Sequence, residues 1–232
     1  MSKKHAIALV TGAGSGIGRA TALAFAARGL DVVLVGRTEA TLFETAGEVM
    51  AAAPGVRTLV VPCDVAKSAE VAAMHDRVLA DLGTPEVVVN NAGCVVRASI
   101  EHTTDADWAE VLGANLDGTF YVTRAFLPAL RARERGRFVA VASISSTLGT
   151  PKLSAYCAAK WGVVGFTKSL AEELRGSPLA ALAVLPGSVD TAMLKGSGFE
   201  PRMSASDVAS TIVYAGLDAP AAMNGSAIEV FG

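Results

Sequence analysis

The sequence predicts an α/β fold: a doubly wound, mostly parallel seven-stranded sheet with helices on both faces. Short runs rich in β-branched residues alternate with Ala-rich stretches along the whole chain. Several of the strand runs are apolar almost throughout, as strands covered on both faces must be. Strict alternation of strand and helix indicates parallel strands joined by crossover helices.

The elements follow one another without a linker, an internal repeat or a low-complexity segment. Strands are predicted at residues 7–10, 32–35, 58–61, 87–89, 138–142, 181–185 and 227–230. Helices are predicted at residues 18–28, 40–53, 69–82, 105–133, 155–174 and 205–217. We therefore expect residues 1–232 to form one domain.

The composition is that of a globular protein. Of the 232 residues, 51% are hydrophobic and 18% are charged, which supplies a core and excludes extensive disorder. A net charge of −2 with both signs scattered offers no basic surface to nucleic acid. The apolar run near the N-terminus spans about five residues, short of the roughly 7–15 of a signal peptide and the ~20 of a membrane span. We expect a cytoplasmic protein that binds neither nucleic acid nor membrane.

Cysteine and histidine are too sparse for a metal site. Cys63, Cys94 and Cys157 are too few and too widely spaced for a disulfide framework or a zinc site. The three histidines show no ligand spacing either. We expect no metal ion.

The stretch ALVTGAGSGIGRATALAFAARG contains four glycines between a predicted strand and a predicted helix. Gly12 permits a tight turn, and Gly16 and Gly18 let the backbone approach a ligand closely. The N-terminus of the following helix offers free N–H donors and a partial positive charge to a pyrophosphate. Strand, turn and helix together favour a Rossmann-type dinucleotide site over a glycine-rich connection that binds nothing.

A tyrosine and a lysine are spaced to share one helix face. Tyr156 and Lys160 lie four residues apart in SAYCAAK, which places them on successive turns. A phenol is a poor proton donor or acceptor at pH 7 until something stabilises its anion. The ammonium of Lys160 would do so by charge attraction, which would lower the pKa of the tyrosine.

Several motifs match one family. The spacing T-G-x-x-x-G-x-G from Thr11 to Gly18, the segment N-N-A-G at 90–93, Y-x-x-x-K at 156–160 and P-G-x-V-x-T at 186–191 follow in order. The chain resembles the short-chain dehydrogenase/reductase family in its classical form, and the resemblance extends from Val10 to Phe231. It implies a mainly cofactor-binding half at 1–115 and a catalytic and substrate-binding half at 116–232.

The resemblance implies a catalytic set of Asn115, Ser143, Tyr156 and Lys160. Ser143 stands at the exit of the fifth strand, thirteen residues before Tyr156, as the catalytic serine of the family does. Ser145 remains the alternative, although Ser145 and Ser146 lie closer to the tyrosine than the family pattern expects. Asn115 would help to hold a water that links Lys160 to solvent; the alternative is a tolerated polar residue within a helix.

The resemblance also implies a nicotinamide dinucleotide cofactor. Asp64 would touch the adenine edge or merely cap the next helix, and the role of the N-N-A-G asparagines is more structural than chemical. Val189 would offer backbone groups and Thr191 a hydroxyl to the nicotinamide amide. The implied cofactor contacts are Gly12, Ser15, Gly16, Ile17, Gly18, Arg37, Asp64, Val65, Asn91, Ala92, Gly93, Tyr156, Lys160, Pro186, Gly187, Val189 and Thr191.

The exit of the second strand bears on the choice of cofactor. Asp31 stands about 20 residues after the glycines but at the entry of the strand, whereas ligands lie beyond the carboxyl ends. Gly36 occupies the place where NAD-preferring members carry Asp, and Arg37 follows it. A guanidinium without a neighbouring carboxylate suits a 2′-phosphate. We expect NADP(H) in preference to NAD(H); the alternative is a solvated surface arginine.

The resemblance implies a small carbonyl compound or alcohol as substrate. Arg97, Lys195 and Arg202 would meet a phosphopantetheine or a carboxylate, or are ordinary surface charges. The segment between Thr191 and Ser204 is short for a covering loop, and two glycines suggest that it moves. The candidate apolar walls are Val95, Val96, Leu148, Leu153, Met193, Leu194, Phe199 and Met203.

The resemblance therefore implies an oxidoreductase that transfers hydride between NADP(H) and a ketone or secondary alcohol, with tyrosine as general acid or base. A 3-oxoacyl-thioester reductase is the alternative with a narrower substrate. A non-catalytic NADP-binding sensor or scaffold is disfavoured because the tyrosine and lysine are both present. The family usually forms homodimers or homotetramers through its long helices.

Overall fold

A single seven-stranded sheet organises the chain in the computed structural model, which describes residues 6–232. The strand order is β3-β2-β1-β4-β5-β6-β7, and every neighbouring pair is parallel. This confirms the predicted fold class and all seven strands; the lysines at positions 3 and 4 lie outside the described residues. The strands are β1 Ile7–Thr11, β2 Asp31–Gly36, β3 Thr58–Pro62, β4 Val87–Asn90, β5 Gly136–Val141, β6 Leu179–Pro186 and β7 Ala227–Val230.

Helices cover both faces of the sheet because successive side chains of each strand point to opposite sides. In β1, Ala8 and Val10 pack into one core with the buried faces of α1, α2 and α7. Ile7 and Leu9 pack into the other core with α3, α5 and α6. The helices are α1 Gly16–Ala27, α2 Glu39–Ala52, α3 Ser68–Asp81, α4 Asp105–Leu112, α5 Gly118–Arg131, α6 Ser154–Glu173 and α7 Ala205–Val213.

Two of the predicted helices are not α-helical throughout: one contains a π-helical segment in its interior and the other ends in one. The predicted helix 105–133 is divided into α4 and α5 by a π-helical segment, Gly113–Asp117, with no break in the helical backbone. The predicted helix 205–217 is α7 followed by a second π-helical segment, Tyr214–Asp218. In the first segment Asn115 lies at the widened turn, so the interior asparagine marks the change in helix type.

Asp31 has a structural partner at the entry of β2. Its carboxylate is 1% exposed and lies 2.6 Å from the guanidinium of Arg57, and it also accepts the backbone N–H of Arg57 at 2.9 Å. The position far from the carboxyl ends of the strands and this ion pair agree with the expectation that Asp31 is no cofactor ligand.

The chain reverses its direction of progress across the sheet between β1 and β4. From β1 it proceeds outward to β2 and β3, and from β4 it proceeds the other way to β7. Such a reversal leaves a crevice beyond the carboxyl ends of the two central strands, where α/β proteins bind ligands. None of the helices in residues 6–232 has the length and hydrophobicity needed to cross a bilayer.

The hydroxyl of Thr11 links the two strands that flank this crevice. It donates to Val89 O at 3.3 Å and accepts from the backbone N–H groups of Asn91 at 2.9 Å and Ala92 at 3.0 Å. These three hydrogen bonds fix the path of the chain as it leaves β4.

We predict that Thr11→Val lowers the free energy of unfolding by about 1–3 kcal/mol, because two partly buried N–H groups and a buried carbonyl lose their partner while the side-chain shape is kept. Urea denaturation measures the change. Thr21→Val is the matched control: the Thr21 hydroxyl is buried and has no hydrogen-bond partner among the described residues, so its removal leaves stability unchanged or raises it. Equal losses in the two variants would contradict the role given to Thr11.

Candidate active site

A cavity of about 700 Å³ lies at the carboxyl ends of the central strands. It is bounded by the start of α1, by the segments that follow β4, β5 and β6, and by the N-terminal half of α6. Of the predicted site residues, it is lined by Ile17, Asn91, Gly93, Ser143, Tyr156, Lys160, Pro186, Gly187, Val189 and Thr191.

The glycine turn at the start of α1 leaves room for a ligand against its backbone. Gly16 adopts φ +51°, and a Cβ there would lie 3.1 Å from Thr191 Cγ2 across the crevice. A Cβ on Gly18 would overlap the carbonyl oxygen of Gly12. The first turn of α1 contains no acidic side chain, and Ser15 makes no capping hydrogen bond. Its free N–H groups therefore fit the pyrophosphate of a dinucleotide.

Asn91 holds the N-N-A-G segment against this turn. Its Nδ2 donates to Thr11 O at 2.9 Å and lies 3.4 Å from Gly12 O. Asn90, in β4, donates through Nδ2 to Thr123 Oγ1 at 3.0 Å on α5. The asparagines thus connect the strand to its neighbours, as the sequence suggested.

Tyr156 and Ser143 meet on one wall of the cavity. Burial raises the pKa of Tyr156 above its usual value, and a hydrogen bond with the side chain of Ser143 acts against that rise. Ser143 Oγ accepts the backbone N–H of Ser145 at 3.1 Å, which leaves its own proton free to donate. Ser145 also lines the cavity, whereas the Ser146 hydroxyl is buried without a partner in the described chain.

Lys160 is buried directly behind Tyr156. Lys160 is only 4% exposed. Its Nζ donates to Val141 O at 2.8 Å and lies 5.6 Å from the centre of the Tyr156 ring. Desolvation lowers the pKa of Lys160 to about 8.

In the protein alone, burial and not Lys160 decides the direction of the pKa shift of Tyr156. The sequence argument assigned Lys160 a direct lowering effect, yet burial dominates and the net pKa of Tyr156 is raised. The ammonium points to the Val141 carbonyl instead of the phenol. Arg97 contributes a lowering effect on Tyr156 that sequence reasoning did not anticipate.

Asn115 presents a free acceptor to Lys160. Its Nδ2 donates to Val111 O at 2.8 Å and Cys94 O at 2.9 Å, which fixes the amide orientation. Its Oδ1 is buried without a hydrogen-bond partner among residues 6–232. A Cβ on Gly93 would overlap that oxygen and lie 3.7 Å from Lys160 Nζ, so the two polar groups face the same small space.

The remaining predicted cofactor residues lie along the adjoining edge of the sheet. Arg37 is exposed at the end of β2 and forms no ion pair within the described part of the chain. Asp64 accepts the backbone N–H of Ala66 at 3.1 Å in a local turn, and Val65 packs into the core beside Gly118. Gly12, Ser15, Gly16, Gly18 and Ala92 belong to the turn and segment already described.

The structure corrects several substrate-wall assignments. Val96 packs against Val111, and Met203 is buried in the main core; neither lines the cavity. Lys195 and Arg202 also lie outside its wall. Sequence reasoning missed Lys152, which does line the cavity and has a left-handed backbone, φ +64°. The other apolar candidates line it as expected: Val95, Leu148, Leu153, Met193, Leu194 and Phe199.

Among residues 6–232, no cluster of His, Cys, Asp and Glu is arranged to hold a metal ion. The fold and the site define an oxidoreductase that acts on CH–OH or C=O groups with a nicotinamide cofactor.

Comparison with known proteins gives the family. The short chain dehydrogenase family matches residues 6–200, and the chain belongs to it. A 3-oxoacyl-[acyl-carrier-protein] reductase from Synechocystis is 36% identical over 84% of this chain and 78% of its own. A D-beta-hydroxybutyrate dehydrogenase from Cupriavidus necator is 36% identical over 81% of this chain and 72% of its own. The crystal structure of levodione reductase superposes with a TM-score of 0.92 at 28% identity, covering 97% of this chain and 95% of that one.

The lowered pKa of Lys160 predicts a pH-dependent stability. Between about pH 8 and pH 10.5 the folded protein loses this proton while the unfolded chain retains it. The free energy of unfolding of the wild type should therefore rise with pH relative to that of Lys160→Met, by up to about 1.4 kcal/mol per pH unit. Urea unfolding at a series of pH values tests this, with Lys168→Met, on the exposed side of α6, as control. A difference between wild type and Lys160→Met that stays constant with pH would contradict the assignment.

Proposed function

We propose that the protein is an NADP(H)-dependent carbonyl reductase or alcohol dehydrogenase in which Tyr156 is the general acid or base. The observation that carries the proposal is the meeting of Tyr156, Ser143 and Lys160 on one wall of a cavity that adjoins the glycine turn. When bound, the nicotinamide supplies or accepts the hydride. The protein orients the carbonyl and moves the proton.

In the reducing direction Tyr156 donates its proton to the carbonyl oxygen. Its raised pKa keeps the phenol protonated at neutral pH, as a donor must be. Ser143 donates a hydrogen bond to the same oxygen and stabilises the negative charge that develops there. The N–H of Ser145 holds the Ser143 oxygen, so the serine proton points away from that N–H.

Lys160 and Asn115 serve the proton path and the cofactor. One N–H of Lys160 is engaged by Val141 O, which leaves two donors for the ribose hydroxyls and for a water. The free Oδ1 of Asn115 accepts a hydrogen bond from that water. A proton passed to Tyr156 from solvent would follow this route after each turnover.

The end of β2 supports NADP(H) over NAD(H). Gly36 leaves the position free of a carboxylate, and the exposed guanidinium of Arg37 is available to a 2′-phosphate. The alternative function is reduction of 3-oxoacyl thioesters. The Synechocystis relative is named for that reaction, and the positively charged Arg97 lines the cavity here.

We also propose a cytoplasmic homodimer or homotetramer. Three large side chains on the outer helices, Trp108, Phe120 and Trp161, are 41%, 39% and 54% exposed. Exposed aromatic side chains on α4, α5 and α6 favour a subunit interface. Residues 1–115 would mainly bind the cofactor and residues 116–232 would carry the catalytic and substrate-binding groups.

Tyr156→Phe tests the chemistry. We expect kcat for NADPH-dependent ketone reduction to fall by about 10²–10⁴-fold, because the proton donor is lost while the ring remains. Ser143→Ala should cost about 10²–10³-fold through loss of the hydrogen bond to the oxygen. Tyr214→Phe, whose hydroxyl contacts Met223 on the surface, is the control and should retain activity. Undiminished reduction by Tyr156→Phe would refute the proposed role.

Arg37→Ala tests the cofactor preference. We expect kcat/KM for NADPH to fall by about 10–100-fold with little change for NADH, because only NADPH carries the 2′-phosphate. Gly36→Asp should shift preference further toward NADH; its Cβ would meet only the Leu42 side chain, 3.3 Å away. Arg175→Ala, paired with Glu172 at the far end of α6, is the control. A wild-type preference for NADH that Arg37→Ala leaves unchanged would overturn the assignment.

A further inference from the structure

The ionisable groups on the cavity wall are unbalanced in charge. Arg97, Lys152 and Lys160 line the cavity, and its described lining contains no Asp or Glu. The chain as a whole carries a net charge of −2, so the excess of cations is local to the cavity. Lys160 is buried beside Tyr156, whereas Arg97 and Lys152 are exposed toward solvent. The second pair has no function in the proton path.

A backbone hydrogen bond joins the segments that carry Arg97 and Lys152 at the edge of the cavity, and we call these two residues the rim. Ala98 N donates to Lys152 O at 3.1 Å, which joins the segment after β4 to the segment before α6. Lys152 is the one non-glycine residue with positive φ in the described chain, and it sits in a left-handed turn. A bulky residue in that region is uncommon and is concentrated at ligand sites.

The guanidinium of Arg97 is held in place by one hydrogen bond, and most of its hydrogen-bond donors are unused. Its Nη2 donates to Met193 O at 2.7 Å, in the segment that follows β6. Its other donors have no partner among residues 6–232. The positive charge of Arg97 lowers the pKa of Tyr156, so its field reaches the reacting phenol. One cation thus lies near both the reacting group and the solvent-facing rim.

We propose that Arg97 and Lys152 bind a carboxylate of the substrate, so that the enzyme acts on oxo acids and hydroxy acids in preference to neutral ketones. The inference rests on the proposed function and names its substrate class. The planar guanidinium fits a carboxylate, and the ammonium of Lys152 adds a second charge-assisted contact. Val95, Leu148 and Leu153 line the same cavity and contact the hydrocarbon chain.

A carboxylate fits this rim better than the phosphate of an acyl carrier. A phosphopantetheine arm would need cations that continue outward from the cavity. Lys195 and Arg202, the basic residues best placed in sequence to supply them, lie outside the cavity wall. The two cations of the rim suffice for one carboxylate on a short substrate.

The test compares charged and neutral substrates of equal shape. Methyl ketone acids, CH₃CO(CH₂)ₙCO₂⁻ with n from 1 to 4, are each assayed beside the methyl ester, and a 3-oxobutanoyl thioester is assayed as the coenzyme A and N-acetylcysteamine derivatives. We expect kcat/KM for at least one acid to exceed that for its ester by tenfold or more. Arg97→Met and Lys152→Gly should each lower kcat/KM for that acid by about 10-fold or more, and Lys152→Gly should lower kcat/KM for the ester by less than 3-fold. Glycine adopts the left-handed backbone of position 152 without strain, so Lys152→Gly should keep the loop conformation. Lys195→Met, which removes a lysine outside the cavity wall, is the matched control.

Three outcomes of the kinetic assays would overturn the proposal: equal rates for acids and esters, equal losses for both in the variants, or a rim effect confined to the coenzyme A thioester. Binding of pentanoate and pentanamide, measured by calorimetry, tests the rim without turnover. Tighter binding of pentanoate that Arg97→Met abolishes supports the rim even if Tyr156→Phe refutes the catalytic proposal. Equal binding of the two compounds refutes the rim while leaving the catalytic proposal intact.

Discussion

The hydrogen bonds of the Thr11 hydroxyl set the position of the whole site. They join the end of β1 to the chain leaving β4, and Asn91 returns a further bond to Thr11 O. The glycine turn and the N-N-A-G segment are therefore held at a fixed separation across the crevice. Parallel pairing of β4, β5 and β6 then places Ser143 and Val189 at the same edge of the sheet. One threonine connects local turn geometry to the arrangement of the catalytic wall.

The electrostatics of the site follow from placing few polar groups in an apolar setting. Lys160 and Asn115 are buried, and each satisfies part of its hydrogen-bonding capacity with a backbone carbonyl. That anchoring fixes their orientation and leaves the unused donors and acceptor directed at one small space. Burial also keeps the Tyr156 phenol protonated. Low local polarity thus favours the neutral form of the phenol.

Much of the fold could be predicted because strand ends and helix faces follow directly from residue periodicity, whereas the candidate site positions followed from the motifs of the family. The distance from Ser143 to Tyr156 and the position of Gly36 after a strand acquired their meaning from comparison with the pattern of the family. The π-helical turn at Asn115 was not predicted; there the Asn115 side chain donates to Cys94 O, which is distant in sequence. The pKa direction of Tyr156 depends on packing density, and the position of Lys152 depends on a left-handed loop residue. Neither leaves a periodic signal.

The segment between Val189 and Met203 leaves the sheet edge and returns to it at nearly the same point. Val189 pairs with Met203, Asp190 N donates to Met203 O at 2.9 Å, and Arg202 N donates to Ser188 O at 3.0 Å. These backbone hydrogen bonds join the two ends of the segment and do not depend on the side chains between them. Met193, Leu194 and Phe199, within the segment, line the cavity. Changes of sequence within this interval can therefore alter which substrates the protein accepts while the groups on the rest of the cavity wall stay the same.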